Sequence, residues 1–317
     1  MTKIIFMGTP DFSVPILRRL ITDGYDVIAV VTQPDRPVGR KRTLTPTPVK
    51  MEAAHHNIPV FQPEKIRTPE ETDKILALKP DLIVTAAYGQ ILPAAILEAP
   101  QLGCINVHAS LLPELRGGAP IHYAILEGKT KTGITIMYMV EKLDAGDIIS
   151  QNEVLIMDED DVGTMHTKLS EIGAELLAKT LPDLIAGKII AHPQKDDAAT
   201  YAYNIKREQE KINWTDQGEV IFNQVRGLCP WPVAYTTLAG QVLKIWKASK
   251  VVLANPLDPG MIAEVAEDGF IISTGNNIGI KVMELQPAGK KKMSAEQYLR
   301  GAGTEIRVGL RMGKTDE

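Results

Sequence analysis

Three polar side chains recur at every second position in the middle of this 317-residue chain: Asn106, His108 and Ser110, within Asn106-Val107-His108-Ala109-Ser110-Leu111-Leu112-Pro113. An amide can donate to an oxygen that gains negative charge, and an imidazole can take up or release a proton near neutral pH. A carboxylate can hold such an imidazole in one tautomer and favour its charged form; Asp144, in the turn Leu143-Asp144-Ala145-Gly146-Asp147, is the candidate. Such a row is either a satisfied polar patch under a loop or a place where chemistry is done.

The elements that must position them follow from the surrounding pattern. Gly103–His108 is apolar and β-branched enough for a strand, in which residues of like parity share a face. That would align Asn106, His108 and Ser110. Pro113 ends the strand because it lacks the N–H a ladder needs. Upstream, apolar strands at Ile4–Met7, Val27–Thr32, Val60–Phe61 and Asp81–Ala86 alternate with helical segments at Ser13–Thr22, Val49–His56 and Glu70–Leu78. Ser13 is the expected N-cap of the first helix. Strands at Thr132–Val140 and Asp147–Ile156 and a helix over Thr164–Ala186 follow. This βαβ order predicts an α/β, Rossmann-like, mostly parallel twisted sheet with helices on both faces. Ligands of such sheets bind beyond the carboxyl ends of the strands, where Gly8-Thr9-Pro10, Tyr88-Gly89-Gln90, His108 and Ser110 fall.

The pattern changes near residue 190. Ala191–Ile205 is polar without periodicity, and short strands separated by Gly, Asn and Asp turns follow at Val242–Ala248, Gly260–Val265, Gly269–Thr274 and Gly279–Leu285. We therefore expect a first domain over 1–189, a linker over 190–207, and a small OB-like β-barrel domain over 208–317.

Several functions are disfavoured. Gly8-Thr9-Pro10-Asp11 lacks the later glycines of a dinucleotide fingerprint, and no Gly-Lys-Ser/Thr phosphate loop occurs. Cys104 and Cys229 stand far apart, and the six histidines show no metal spacing, so neither a metal site nor a disulfide framework is expected. No apolar run approaches transmembrane length, and the first residues run straight into a strand, which leads us to expect a cytoplasmic protein with no membrane association. A net charge of −4 argues against wholesale coating of nucleic acid, but basic residues cluster locally. The segment Gln33 to Lys50 carries Arg36, Arg40, Lys41, Arg42 and Lys50 against the single acid Asp35, with four prolines to extend it. Lys206, Arg207, Lys211, Lys244, Lys247, Lys290, Lys291 and Lys292 add positive charge to the C-terminal part.

The chain resembles the bacterial methionyl-tRNA formyltransferases along its whole length. The likeness is carried by Ile5-Phe6-Met7-Gly8-Thr9-Pro10-Asp11-Phe12, Thr32-Gln33-Pro34-Asp35-Arg36-Pro37, Ala87-Tyr88-Gly89, the run Ile105 to Pro113, Pro230-Trp231-Pro232, and Leu285 to Lys291. The Asn-x-His-x-Ser-Leu-Leu-Pro motif with a later Asp is shared by enzymes that use 10-formyltetrahydrofolate. The resemblance implies attack of the methionine amine of initiator tRNA on the formyl carbon of that folate, giving an oxyanion. Asn106 and protonated His108 would donate to the oxyanion, and His108 with Asp144 would manage the protons. Ser110, Leu111, Leu112 and Pro113, with Tyr88, Gly89, Ile91 and Leu92, would form the folate pocket. Arg36, Arg40, Lys41 and Arg42 would wedge into the acceptor stem, Arg40 leading. Lys206, Arg207, Lys244, Lys247, Lys290 and Lys291 would line a backbone channel in the second domain. A monomer is expected on the same resemblance. The alternatives are a formyltransferase acting on an amino-sugar nucleotide or another small amine, and a non-catalytic tRNA-binding protein on the same scaffold.

Overall fold

A computed structural model of the chain describes residues 1–39 and 42–313. Arg40 and Lys41 lie outside the described residues.

The first compact unit is built on strands β1 (Lys3–Gly8), β2 (Asp26–Val31), β5 (Val60–Phe61), β6 (Leu82–Ala86), β7 (Cys104–His108), β8 (Lys131–Tyr138) and β9 (Ile148–Leu155). A hairpin of β3 (Arg36–Val38) and β4 (Thr43–Thr45) stands apart from this sheet. The sheet order is β5-β2-β1-β6-β7-β8-β9. Pairs from β5 through β7 are parallel, and β8 and β9 are antiparallel additions. The central strands read as unbroken apolar runs because both faces are covered. Ile4, Ile5, Phe6 and Met7 of β1 and Leu82, Ile83 and Val84 of β6 have no exposed surface. Each such aliphatic side chain contributes about 1.5–3 kcal/mol by leaving water.

Helices α1 (Ser13–Thr22), α2 (Pro48–His55), α3 (Pro69–Leu76) and α4 (Ala94–Glu98) connect these strands. Ser13 is not the N-cap. Phe12 holds that position without a side-chain cap, and the Ser13 hydroxyl donates to the Ala86 carbonyl at 2.6 Å. The hydroxyl thus ties the start of α1 to the end of β6. The chain winds outward from β1 through β2 to β5, then reverses across β1 to β6 and β7, so the switch point lies between β1 and β6. There Thr9 Oγ1 donates to the Tyr88 carbonyl at 2.9 Å, and Gln33 Nε2 reaches the same oxygen at 3.2 Å.

The basic segment is more ordered than a loop. β3 and β4 pair antiparallel, Arg36 opposite Thr45 and Val38 opposite Thr43, and α2 begins at Pro48 with Thr47 as its side-chain cap.

The second unit carries an antiparallel sheet in the order β10-β11-β14-β13-β12, with β15 on β14. These strands are β10 (Tyr235–Leu238), β11 (Gln241–Val252), β12 (Ile262–Ala266), β13 (Gly269–Ile272), β14 (Ile278–Pro287) and β15 (Met293–Ser294). Ile245, Phe270, Ile272, Ile280, Val282 and Leu285 form its core with Ile221, Phe222 and Val225 of α7 (Gly218–Gly227) and Tyr298 of α8 (Ala295–Arg300).

The units are not contiguous in sequence. Residues 121–130, which hold most of α5 (Pro120–Leu126), and residues 156–165, which open α6 (Val162–Ile185), belong with 204–317. Arg226 explains part of this, donating to the carbonyls of Met157 and Asp160 at 2.8 and 3.2 Å. Leu126 packs against Gly227, where an added Cβ would lie 3.0 Å from its side chain. Residues 190–203, expected to form a linker, are bonded into the first unit: His192 bridges Ile148, and Tyr201 bridges Arg116.

Candidate active site

The register of β6 and β7 sets the first contact of the site. Thr85 stands beside Asn106, so in a parallel pair their side chains share a face. The Thr85 hydroxyl, with one proton to give, makes its shortest contact with Asn106 Oδ1 at 2.8 Å, and the Ile105 carbonyl and Met139 Sδ lie at 3.1 and 3.2 Å. With Oδ1 occupied, the amide presents Nδ2 as its donor.

His108 closes β7 and is 5% exposed. Its Nε2 lies 3.0 Å from the Leu115 carbonyl, which can only accept, so Nε2 carries the proton of the neutral ring. Nδ1 is then the nitrogen able to take up a second proton, and it faces Asp144 Oδ2 at 3.8 Å. The tautomer is thereby set by a backbone carbonyl, whereas Asp144 had been expected to set it. Asp144 is itself held: the Gly117 amide donates to its Oδ2 at 2.8 Å. Gly117 adopts φ +121°, and a Cβ there would sit 2.6 Å from the Ala202 carbonyl oxygen, so this position requires glycine.

Ser110 does not continue the row. β7 ends at His108, and Ser110 is fully buried with its hydroxyl donating to the Glu114 carbonyl at 2.6 Å. Its side chain shapes the turn instead of facing a ligand. Thr135 and Gln151 secure the same turn. Thr135 Oγ1 donates to Ser110 O at 2.7 Å, and Gln151 Nε2 to Leu112 O at 2.9 Å. Leu112 is buried, while Leu111 and Pro113 are half-buried.

The other expected pocket residues divide. Tyr88 and Leu92 are core members packed with Ile5, Met7 and Ile96, and burial pushes the Tyr88 phenol above its usual pKa. The Tyr88 hydroxyl is buried without a partner. Ile91 is 74% exposed, and Gly89 bends the chain with φ +91°. A cleft of about 490 Å3, lined by Ala94, Leu97, Glu98, Met139, Val140, Glu141 and Lys142, adjoins Asn106 through the Met139–Thr85 contact. That volume suits a small-molecule ligand. Its β8-end wall was missed from sequence, since an apolar pair followed by Glu and Lys reads as an ordinary strand end.

Arg116 was also unforeseen as an organiser. Its guanidinium has no exposed surface and donates to Gln194 Oε1 at 3.1 and 2.8 Å and to Asp196 Oδ1 at 3.0 Å. Lys142 and Arg116 hold the Asp196 carboxyl below its usual pKa. The two thiols are poor candidates for chemistry, because burial pushes both Cys104 and Cys229 up to about 12. Among the described residues no group of three or more His, Cys, Asp or Glu side chains could hold a metal ion.

The basic residues are partly committed. Arg36 pairs with Glu64, and Lys50 with Asp35. Arg42 is exposed in the hairpin turn with φ +48°. In the second unit, Lys206, Arg207, Lys247, Lys290 and Lys291 are exposed, whereas Lys244 is half-buried and donates to the Pro232 carbonyl. Lys244 lies opposite Gln286, which accepts from Trp246 Nε1 at 3.1 Å and donates to Lys290 O at 2.9 Å. Lys292 sits 5.3 Å over the Trp246 ring. Lys244, Trp246, Gln286 and the 290–292 turn therefore form one basic patch with an aromatic centre. Lys244, Lys290 and Lys291 were expected from charge; Trp246 and Gln286, which carry none, were not.

Comparison with known proteins returns one picture. A family model described as formyl transferase matches residues 2–181, and one described as formyl transferase, C-terminal domain, matches 204–303. The chain is 67% identical to the methionyl-tRNA formyltransferase of Bacillus cytotoxicus over 99% of both chains. It is 64% identical to that of a Geobacillus species over the full length of both. Among solved structures, an N-formyltransferase of Helicobacter canadensis, in complex with folinic acid and dTDP-3-aminofucose, superposes with a TM-score of 0.68 at 20% identity, covering 90% of this chain and 100% of that one. HypX of Aquifex aeolicus in complex with tetrahydrofolic acid gives 0.64 at 16%, over 93% of this chain and 46% of that one. These last two likenesses concern the fold.

Proposed function

From its membership of the formyl transferase family, to which this chain belongs, we infer the reaction and the residues that carry it. The protein transfers a formyl group from formyl-tetrahydrofolate to the methionyl amine of initiator tRNA; identity of 64–67% along the whole length is the observation that carries this. The donor is the 10-formyl form, in which the formyl group is activated for transfer to an amine. The groups at the end of β7 suit such a donor: the Asn106 amide, which the Thr85–Met139 contact links to a cleft of suitable size, can donate through Nδ2, and His108 keeps Nδ1 free to accept a proton. Asn106 Nδ2 donates to the formyl oxygen as it gains charge. His108 Nδ1 takes the proton leaving the attacking amine, the adjacent Asp144 carboxylate stabilises the imidazolium, and the proton is returned to the folate nitrogen as its bond to the formyl carbon breaks. Ile91, the backbone at Gly89 and the Val140–Lys142 segment receive the folate, while Leu111, Leu112 and Pro113 hold the floor of the site. No helix among the described residues is long and apolar enough to cross a membrane. A cytoplasmic monomer accords with this function.

The first unit is the catalytic part and the second the tRNA-binding part. Arg36, Arg42, Arg40 and Lys41 would meet the acceptor stem, and Lys206, Arg207, Lys244, Lys247, Lys290 and Lys291 the phosphate backbone. Lys290→Ala and Lys291→Ala are each expected to raise KM for tRNA and to lower the slope of log affinity against log salt by about one, with kcat unchanged. A salt titration of steady-state kinetics reads both quantities. The assignment of substrate is tested by supplying 10-formyltetrahydrofolate with methionyl initiator tRNA, with free methionine, or with an amino-sugar nucleotide. Transfer to either small amine but not to the tRNA would overturn it.

A further inference from the structure

We propose that Gln194 is a positioning residue for the formyl transfer inferred above, joining the two loops that set the His108–Asp144 spacing. Its side chain makes four contacts of two kinds. Oε1 accepts from Nε and Nη2 of buried Arg116 at 3.1 and 2.8 Å. Nε2 donates to the carbonyls of Asp144 and Gly146 at 2.8 and 2.7 Å. One loop, 115–118, supplies the Leu115 carbonyl to His108 and the Gly117 amide to Asp144. The other carries the Asp144 carboxylate. Gln194 is the one side chain, among the hydrogen bonds of the described residues, that bonds both the Arg116 side chain and the Asp144 backbone.

The loops need holding. Leu115 and Asp144 both adopt left-handed backbone, φ +59° and +45°, which a non-glycine residue keeps only when its surroundings impose it. The strap from Gln194 to Thr200 meets each of them. Thr200 Oγ1 accepts from Leu115 N at 2.9 Å, and Gln194 accounts for the Asp144 carbonyl. Asp196 adds a second tie, pairing with both Arg116 and Lys142. An amide suits the central position because Arg116 needs an acceptor and the Asp144 turn needs a donor. No other uncharged side-chain group of this reach offers both on one planar end.

Gln194→Glu separates the two functions. It keeps the acceptor for Arg116 and removes the donor, so a carboxylate faces the two carbonyls; Gln194→Ala removes both. The test begins with the full-length wild-type protein formylating methionyl initiator tRNA, which checks the reaction itself. Both variants are then expected to lose about 10- to 100-fold in kcat, with KM for tRNA and folate within about threefold. In the substrate-free proteins, amide hydrogen exchange should accelerate at 115–119 and 139–147 and stay unchanged elsewhere. If Gln194→Ala fails to fold, Gln194→Glu decides alone. Wild-type kcat and wild-type exchange in Gln194→Glu would overturn the proposal. So would faster exchange across the whole first unit, which marks a general structural role. An inactive wild type would instead overturn the assignment of the reaction.

Discussion

His108→Ala is expected to lower kcat about 10²- to 10⁴-fold while leaving KM for tRNA within a few-fold, the range for loss of a general acid–base group. The expectation rests on the separate tasks of its two nitrogens. Nε2 is spent on the Leu115 carbonyl, and Nδ1 faces Asp144 at 3.8 Å with no second acceptor to satisfy. Alanine removes the only nitrogen placed to take the amine proton at this point of the site. It also leaves the Leu115 carbonyl short of a partner, at a stability cost of about 1–3 kcal/mol. Single-turnover rates with bound methionyl-tRNA, together with a thermal melt, separate these effects. A loss below about tenfold in a folded variant would remove His108 from the proton path.

Asn106→Ala should cost about 100- to 1,000-fold in kcat, as expected for one donor to a developing oxyanion. The structure adds a condition on this donor, because the amide is oriented from behind. Thr85→Val keeps the shape of that residue but removes the hydroxyl that occupies Asn106 Oδ1. The amide can then turn its oxygen toward the substrate, and a loss of about tenfold is expected, smaller than for removal of the donor itself because a minority of orientations remain productive. Since Thr85 acts through Asn106, the double variant should be no slower than Asn106→Ala. Additive losses in that cycle would show Thr85 acting independently.

The sheet and the end of β7 could be read before the structure because they rest on local signals. Unbroken apolar runs mark parallel strands buried on both faces, and the two-residue spacing of Asn106 and His108 places them along one strand. What escaped detection was set by partners distant in sequence. Thr85 looks like one polar residue in an apolar run; only its register beside Asn106 assigns it a task. Ser110 followed the right parity, but the strand had already ended, and its hydroxyl turned to Glu114. Gln194 lies in a polar stretch without periodicity, and its bonds reach 78 residues back to Arg116 and 50 back to Asp144. No window of sequence contains that information. The basic segment between Gln33 and Lys50 was found from charge, while its hairpin was not, because the four prolines read only as an extended loop. Pro37 is tolerated because a two-stranded hairpin has a free edge.

The interleaving of the two units has a consequence for a chain made from its N-terminus onward. The backbone passes between them after residues 120, 130, 155, 165 and 203. While the nascent chain ends near residue 200, the 121–130 and 156–165 segments have emerged but the sheet they pack with has not. Leu126, in the first of these segments, packs against the core that holds Ile221, Val225 and Leu228, and it must wait for them. The first unit itself closes late, because its Arg116 stays uncompensated until Gln194 and Asp196 are made. Vectorial synthesis therefore leaves the 121–130 and 156–165 segments waiting for residues 204–317, the part of their own unit that is made last.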